Sequence, residues 1–324
     1  MLIESSEQER LAAALSQLKI YPFEITFQSR QDTALPPYLG STLRGAFGHA
    51  FKAVTCQVSH RQCEICTLQR ECVYPYVFET YAPEQAEWMT RYPRVPHPFI
   101  LLTPTHSPEL LKAGETLRFA FYLIGPAVQF LPYFVAAWER MAQRGLGFRR
   151  SPFTLVAVSH HEATIYHPQQ GLLPISAFKP IDLAVPTDLK DVELHWMSPL
   201  RLQVQSKPLR EHLPFDRLVS SLLRRLSMVL YFHQAESLEL NYAHWVNVAR
   251  SVPSISALHW HEMDRWSNRQ KKKIQQGGMM GQVKYISVPS AFLPLITVGQ
   301  HVLVGKNTSF GLGRYYWNKK NHVL

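Results

Sequence analysis

Cysteine is scarce in this chain. There are four in 324 residues, all inside one short stretch, "CQVSHRQCEICTLQREC" (56–72), which excludes a disulfide framework spread along the chain. Uninterrupted apolar segments are also missing. One long uncharged run, "FAFYLIGPAVQFLPYFVAAW" (119–138), is broken by Gly125, Pro126, Gln129 and Pro132. It reads as a strand, a turn and a helix start rather than a membrane span. The opening "MLIESSEQER" is polar and acidic, unlike a secretory leader, and a cytoplasmic protein is expected. Two nucleotide-binding signatures fail as well. No Gly-Lys-Ser/Thr closes a glycine run ahead of a helix, and no G-x-G-x-x-G opens one, which excludes a P-loop and a dinucleotide fold.

What the chain has is positive charge. Lys and Arg outnumber Asp and Glu 34 to 24, a formal net charge of +10. The excess is concentrated after Trp260, the kind of electrostatic footprint that suits nucleic acid. In that region "RWSNRQKKK" (265–273) mixes cations with an aromatic ring, and "VGKNTSFGLGRY" (304–315) joins three glycines to Lys306 and Arg314. Such a loop could offer bare backbone amides and cations to phosphate oxygens. The alternative is a tight turn before a final strand.

At 46% apolar content, the chain can bury two modest cores. A proline-spaced stretch, 166–191, marks the seam. Before it, 23–28 and 117–124 alternate as strands, while 37–54 and a segment ending near Arg144 have helical period. After it, strand, helix (215–233), strand and closing strand recur. Gly-Leu-Gly at 145–147 and again at 311–313 sharpens the impression of a weak internal repeat of two βαββαβ modules. The expected fold class is α+β: two tandem ferredoxin-like domains, 1–180 and 181–324, with a four-cysteine metal-binding insertion (56–72) in the first and a glycine-rich loop (305–313) in the second.

The sequence "VGKNTSFGLGRY" resembles the C-terminal glycine-rich loop, apolar-G-x5-G-x-G, of the RAMP superfamily of CRISPR-associated proteins. The stretches "LRGAFGHAFKAVTC…CEICTLQRECVYPYVFET", "SPLRLQ", "LLRRLS" and "DRWSNRQKKKIQQGGMMGQVKY" are similar, in the same order, to its repeat-RNA-processing endoribonucleases. The resemblance implies an endoribonuclease that cuts CRISPR precursor transcripts within each repeat. In that family the ribose 2′-OH attacks the adjacent phosphate without a metal, leaving a 2′,3′-cyclic phosphate and a 5′-OH. It also implies repeat RNA as partner, product retention, and association with other CRISPR effector-complex subunits. The rival reading is a RAMP subunit that binds guide RNA without cutting it.

Such chemistry needs a base near the 2′-OH, an acid for the leaving oxygen and a cation for the equatorial oxygens. On a helix from about Pro37, Leu39, Leu43, Phe47, Phe51 and Val54 make an apolar stripe, and Tyr38, Thr42, Gly45, His49 and Lys52 share the opposite face. His49, Tyr38 and Lys52 are therefore the candidate catalytic residues, with His160 and His161 next in line. Candidate RNA contacts are Arg44, Arg265, Arg269, Lys271, Lys272, Lys273, Gly305, Lys306, Gly311, Gly313 and Arg314. His233 lies on an apolar stripe and is expected in a core.

Cys56, Cys63, Cys66 and Cys72 are spaced C-x6-C-x2-C-x5-C, compatible with a tetrahedral thiolate site. Structural zinc is expected, with an iron–sulfur cluster as the alternative; His60 lies inside the loop.

Overall fold

The computed structural model describes residues 2–58, 62–82, 94–104, 107–174, 178–185, 190–205, 207–267, 272–275 and 277–317. Its chain divides into two units: residues 19–181, and residues 1–18 together with 182–323. Both mix helices with antiparallel sheets.

The chain opens with α1 (Ser5–Gln17), which belongs to the second unit, whereas the sequence places residues 1–18 in the first domain. The reason is local. Glu7 is buried on α1, and its carboxylate accepts hydrogen bonds from the Asn241 amide at 2.9 Å and Trp245 Nε1 at 3.0 Å. A buried carboxylate needs such donors.

The first unit is built on β1 (Ile20–Ser29), α2 (Gly40–Thr55), β2 (Phe99–Leu102), β3 (Thr116–Ile124), α3 (Leu131–Arg144), β4 (Phe153–His160) and β5 (Ala163–His167). The sheet order is β2-β3-β1-β4-β5, with a two-residue strand at Gly171–Leu172 on the outer edge. Every pair is antiparallel. α2 buries Leu43, Phe47, Ala50 and Phe51. The Phe47 ring is the hub of an aromatic core, 5.0 Å from Phe121, 5.6 Å from Phe134 and 5.9 Å from Phe99, within the range where ring pairs add to area burial.

The second unit contains β6 (Val192–Leu200), α4 (Phe215–Gln234), α5 (Tyr242–Ala249), β7 (Ser254–His261), β8 (Gly278–Tyr285), α6 (Leu293–Val302) and β9 (Tyr315–Trp317). Its sheet order is β7-β8-β6-β9, all antiparallel. Counting only the four principal strands of each unit, the first lies between the third and the fourth in both. α4 turns Leu222, Leu226, Val229, Leu230 and His233 inward, so His233 is buried as the apolar stripe predicts. Among the described residues no helix is long and apolar enough to cross a membrane.

Candidate active site and RNA-binding residues

α2 starts at Gly40 and runs to Thr55, so Tyr38 precedes the helix instead of lying on its face. Tyr38 is half-buried, and burial pushes its phenol above the ordinary value; it stays an O–H donor at any working pH. His49 is exposed one turn beyond Gly45, and a Cβ added at Gly45 would meet nothing within 4 Å. The outward face of α2 is therefore open where His49 stands. Gly48 is the opposite case, because a Cβ there would come within 2.9 Å of the Phe78 ring.

Lys52 is turned another way. Its ammonium sits 4.8 Å from the centre of the Tyr74 ring; burial raises the Cys63 thiol, and the Lys52 charge partly offsets that. The expected trio thus comprises an exposed imidazole, a half-buried phenol before the helix and a lysine stacked on Tyr74.

Arg44 is also engaged. Its Nη2 lies 3.1 Å from His97 Nε2, and its guanidinium stacks over Phe78 at 5.2 Å. His97 Nδ1 is 3.1 Å from the Val77 carbonyl, which only accepts. The proton therefore sits on Nδ1, and Nε2 accepts from Arg44. Sequence reasoning missed this histidine, since nothing in the spacing of "RVPHPFI" (94–100) sets it beside α2.

His160, a reserve candidate, is structural. Nδ1 is 2.7 Å from the Pro22 carbonyl, and Nε2 accepts from the Lys179 amide at 3.0 Å. Both nitrogens are occupied, and burial lowers the pKa despite these bonds. Its neighbour His161 has φ of +45° and lies 3.1 Å from the Lys179 carbonyl.

The glycine-rich loop is a closed turn. Gly305, Gly311 and Gly313 have φ of +89°, +81° and +75°. A Cβ on Gly313 would meet the Val304 carbonyl oxygen at 1.7 Å, and one on Gly305 the Arg201 oxygen at 2.7 Å. Glycine is required here by backbone conformation and by close approach of chain to chain. The amides face inward: Lys306 donates to Arg201, Gly311 to Thr308 and Gly313 to Pro199. Arg314 N donates to Ser198 Oγ, which donates to the Gly311 carbonyl. The Gly311 and Gly313 amides are thus paired within the chain rather than open to phosphate oxygens. The Lys306 side chain remains exposed at the rim, bonded to Gln203 Oε1.

Arg265, Lys272 and Lys273 lie on a hairpin, Asp264–Ser267 against Lys272–Gln275; Arg269 and Lys271 lie outside the described residues.

The cysteines follow α2 directly and are all free thiols. A 3-10 turn, Cys63–Ile65, brings the Cys66 amide to the Cys63 carbonyl at 3.3 Å. Cys56, Cys63, Cys66 and Cys72 line one concavity together with Thr55, Tyr74 and Pro75. Yet no three described His, Cys, Asp or Glu side chains are drawn together as a ligand set. The thiols share a wall, and the expected metal-binding cluster is not closed. His60 lies outside the described residues.

Comparison with known proteins bears on this arrangement. Residues 194–315 match the family model for the CRISPR-associated endoribonuclease Cas6, and residues 18–177 match one described as an N-terminal domain. A protein of Archaeoglobus fulgidus, described as uncharacterized, is 21% identical over 299 residues, 86% of this chain and 91% of that one. A Cas6 product complex shares the fold at a TM-score of 0.54 and 16% identity, covering 92% of this chain and all of the other. Thermus thermophilus Cas6 does so at 0.51 and 14%, over 93% and 99%. A chain of a partial Cas6-RT-Cas1–Cas2 complex matches at 0.57 and 14%, covering 95% of this chain, which spans only 48% of its length. The structural likenesses carry the fold alone, and the similarity to the Cas6 endoribonuclease family lies on residues 194–315, within the second unit.

Proposed function

We propose that the protein is an endoribonuclease that cuts CRISPR precursor RNA within its repeats. The observation that carries this reading is the Cas6 family match over residues 194–315. The repeated strand order supports the finer fold assignment, two ferredoxin-like modules, a platform suited to RNA.

The proposed reaction is attack of a ribose 2′-OH on the adjacent phosphate with loss of the 5′-oxygen, leaving a 2′,3′-cyclic phosphate and a 5′-OH, with no catalytic metal. His49, exposed beside the open surface at Gly45, is assigned as the acid–base group. Tyr38 would donate its retained proton toward a phosphate or leaving oxygen. Lys52 is not assigned to the phosphate, because its ammonium stacks on the Tyr74 ring. It positions the loop after α2 instead.

Zinc is proposed as a structural group on Cys56, Cys63, Cys66 and Cys72. Their shared concavity supports it; the thiols would still have to draw in to complete a tetrahedral set. When bound, the metal would fix the cysteine loop to the end of α2 and take no part in cleavage. The proposed partners are repeat RNA, the cut product and other CRISPR-associated subunits.

A multi-repeat transcript incubated with the protein tests the proposal. Fragments of one repeat-spacer length are expected. A binding-only role has one observation in its favour, the engagement of Lys52 by the Tyr74 ring. Tight binding of an intact transcript would decide for it.

A further inference from the structure

The segment joining α3 to β4, Gly145–Ser151, is the first unit's counterpart of the glycine-rich loop, and it carries an aromatic side chain with nothing to pack on. Leu146 and Ser151 close its base with two backbone hydrogen bonds, 2.9 and 3.0 Å, and Leu146 is buried beneath it. Gly145 and Gly147 have φ of +85° and +75°, and Arg150 has +50°. A Cβ on Gly145 would strike the Arg150 carbonyl at 2.1 Å. The Arg150 amide reaches back to the Gly147 carbonyl at 3.3 Å, so the apex is Phe148 and Arg149.

Phe148 is fully exposed, more so than any other large apolar side chain among the described residues. An isolated surface hydrophobe usually means little. Here the ring is held out on a turn closed at its base, with cations beside it in the chain. Arg144, Arg149 and Arg150 flank it in the chain and are exposed. Arg30 is tied to the chain just after the turn, its amide to the Pro152 carbonyl at 3.1 Å and its Nε to Thr154 Oγ1 at 2.8 Å. None of the four arginines makes an ion pair among the described residues, while the nearby Asp32 is matched by Lys112 at 3.0 Å. A rigidly presented ring among unmatched guanidinium groups suits a ligand with flat apolar faces joined by anionic links.

We infer that the Gly145–Ser151 turn is a contact for single-stranded RNA: Phe148 stacks on an unpaired base of the repeat transcript, and Arg30, Arg144, Arg149 and Arg150 meet the flanking phosphates. This rests on the RNA reading above but not on cleavage, the glycine-rich loop or the metal.

The test uses the full chain and a labelled repeat RNA. Phe148→Ala and Phe148→Leu should each weaken binding about 5- to 100-fold, the range for a lost base–aromatic stack, while Phe148→Tyr should stay near wild type. Arg149→Ala should lower the salt slope of binding by about one. Photocrosslinking of RNA carrying 4-thiouridine outside its paired region should label the tryptic peptide Gly145–Arg149. Wild-type affinity in Phe148→Leu together with an unlabelled peptide would overturn the inference. So would a Phe148→Ala variant that binds RNA normally but loses a protein partner. Wild-type protein that binds no repeat RNA would overturn the RNA reading itself.

Discussion

His49 owes its candidacy to position: it faces outward from α2 with the smallest residue one turn before it. An imidazole at this place can take a proton from a hydroxyl or return one. His49→Ala should lower the cleavage rate on the order of 10²-fold or more with RNA affinity little changed, measured by single-turnover kinetics beside a binding titration. A parental rate would remove His49 from the mechanism. Gly313 acts through the fold. It combines a φ of +75° with a carbonyl 1.7 Å from where a Cβ would lie. Gly313→Ala should cost at least about 1–3 kcal/mol from backbone strain alone, seen as a lower melting temperature. A variant as stable as wild type but weak in RNA binding would restore the phosphate-amide reading of that loop.

At the scale of elements, two histidines make stability depend on pH. Burial lowers the pKa of His160 on β4 and takes that of His301 on α6 down to about 4. Both are neutral in the folded chain, whereas an unfolded histidine titrates near 6.5. Their contribution is complete above about pH 6.5 and is lost as the pH falls toward the folded values. For His301 the loss approaches about 3 kcal/mol by pH 4. Melting temperature should therefore fall from pH 7 to pH 5, and less so in His301→Gln; equal slopes in the two proteins would refute this assignment. The cysteine loop yields a separate expectation. Cys66→Ser should lower the melting temperature and the zinc content, about one ion per wild-type chain by elemental analysis. A metal-free, fully stable wild type would dismiss the structural site.

The same scale shows what was legible. α2 and α4 announced themselves because each pairs an apolar stripe with a polar face, and β1 and β3 because their residues alternate or run apolar between turn signals. α1 was missed because its buried face includes a carboxylate, Glu7, satisfied by donors more than 230 residues away. α6, "LPLITVGQHV", was missed because it buries most of its circumference and so lacks a period. Within the site, His49 could be read from helical spacing. The diversion of Lys52 toward Tyr74 and Cys63, and the pairing of Arg44 with His97, are tertiary contacts that no spacing encodes. The need for glycine was legible, but the turn of the Gly313 amide to the Pro199 carbonyl is a fact of register between β6 and the loop.

For the molecule as a whole, the two units repeat one sheet order with helices at corresponding places, and the family match lies on the second. The proposed chemistry rests on that match, and the proposal assigns it to the outward face of α2 in the first unit. The measurement that bears most directly on the central claim is cleavage of an end-labelled repeat RNA in excess EDTA, run beside the same RNA with a single 2′-deoxy substitution at the cut site. The account predicts a cut that persists in EDTA, leaves a cyclic phosphate on the upstream fragment and a hydroxyl on the downstream one, and disappears with the deoxy substitution. A cut that needs a divalent ion, or that survives loss of the 2′-OH, would contradict it.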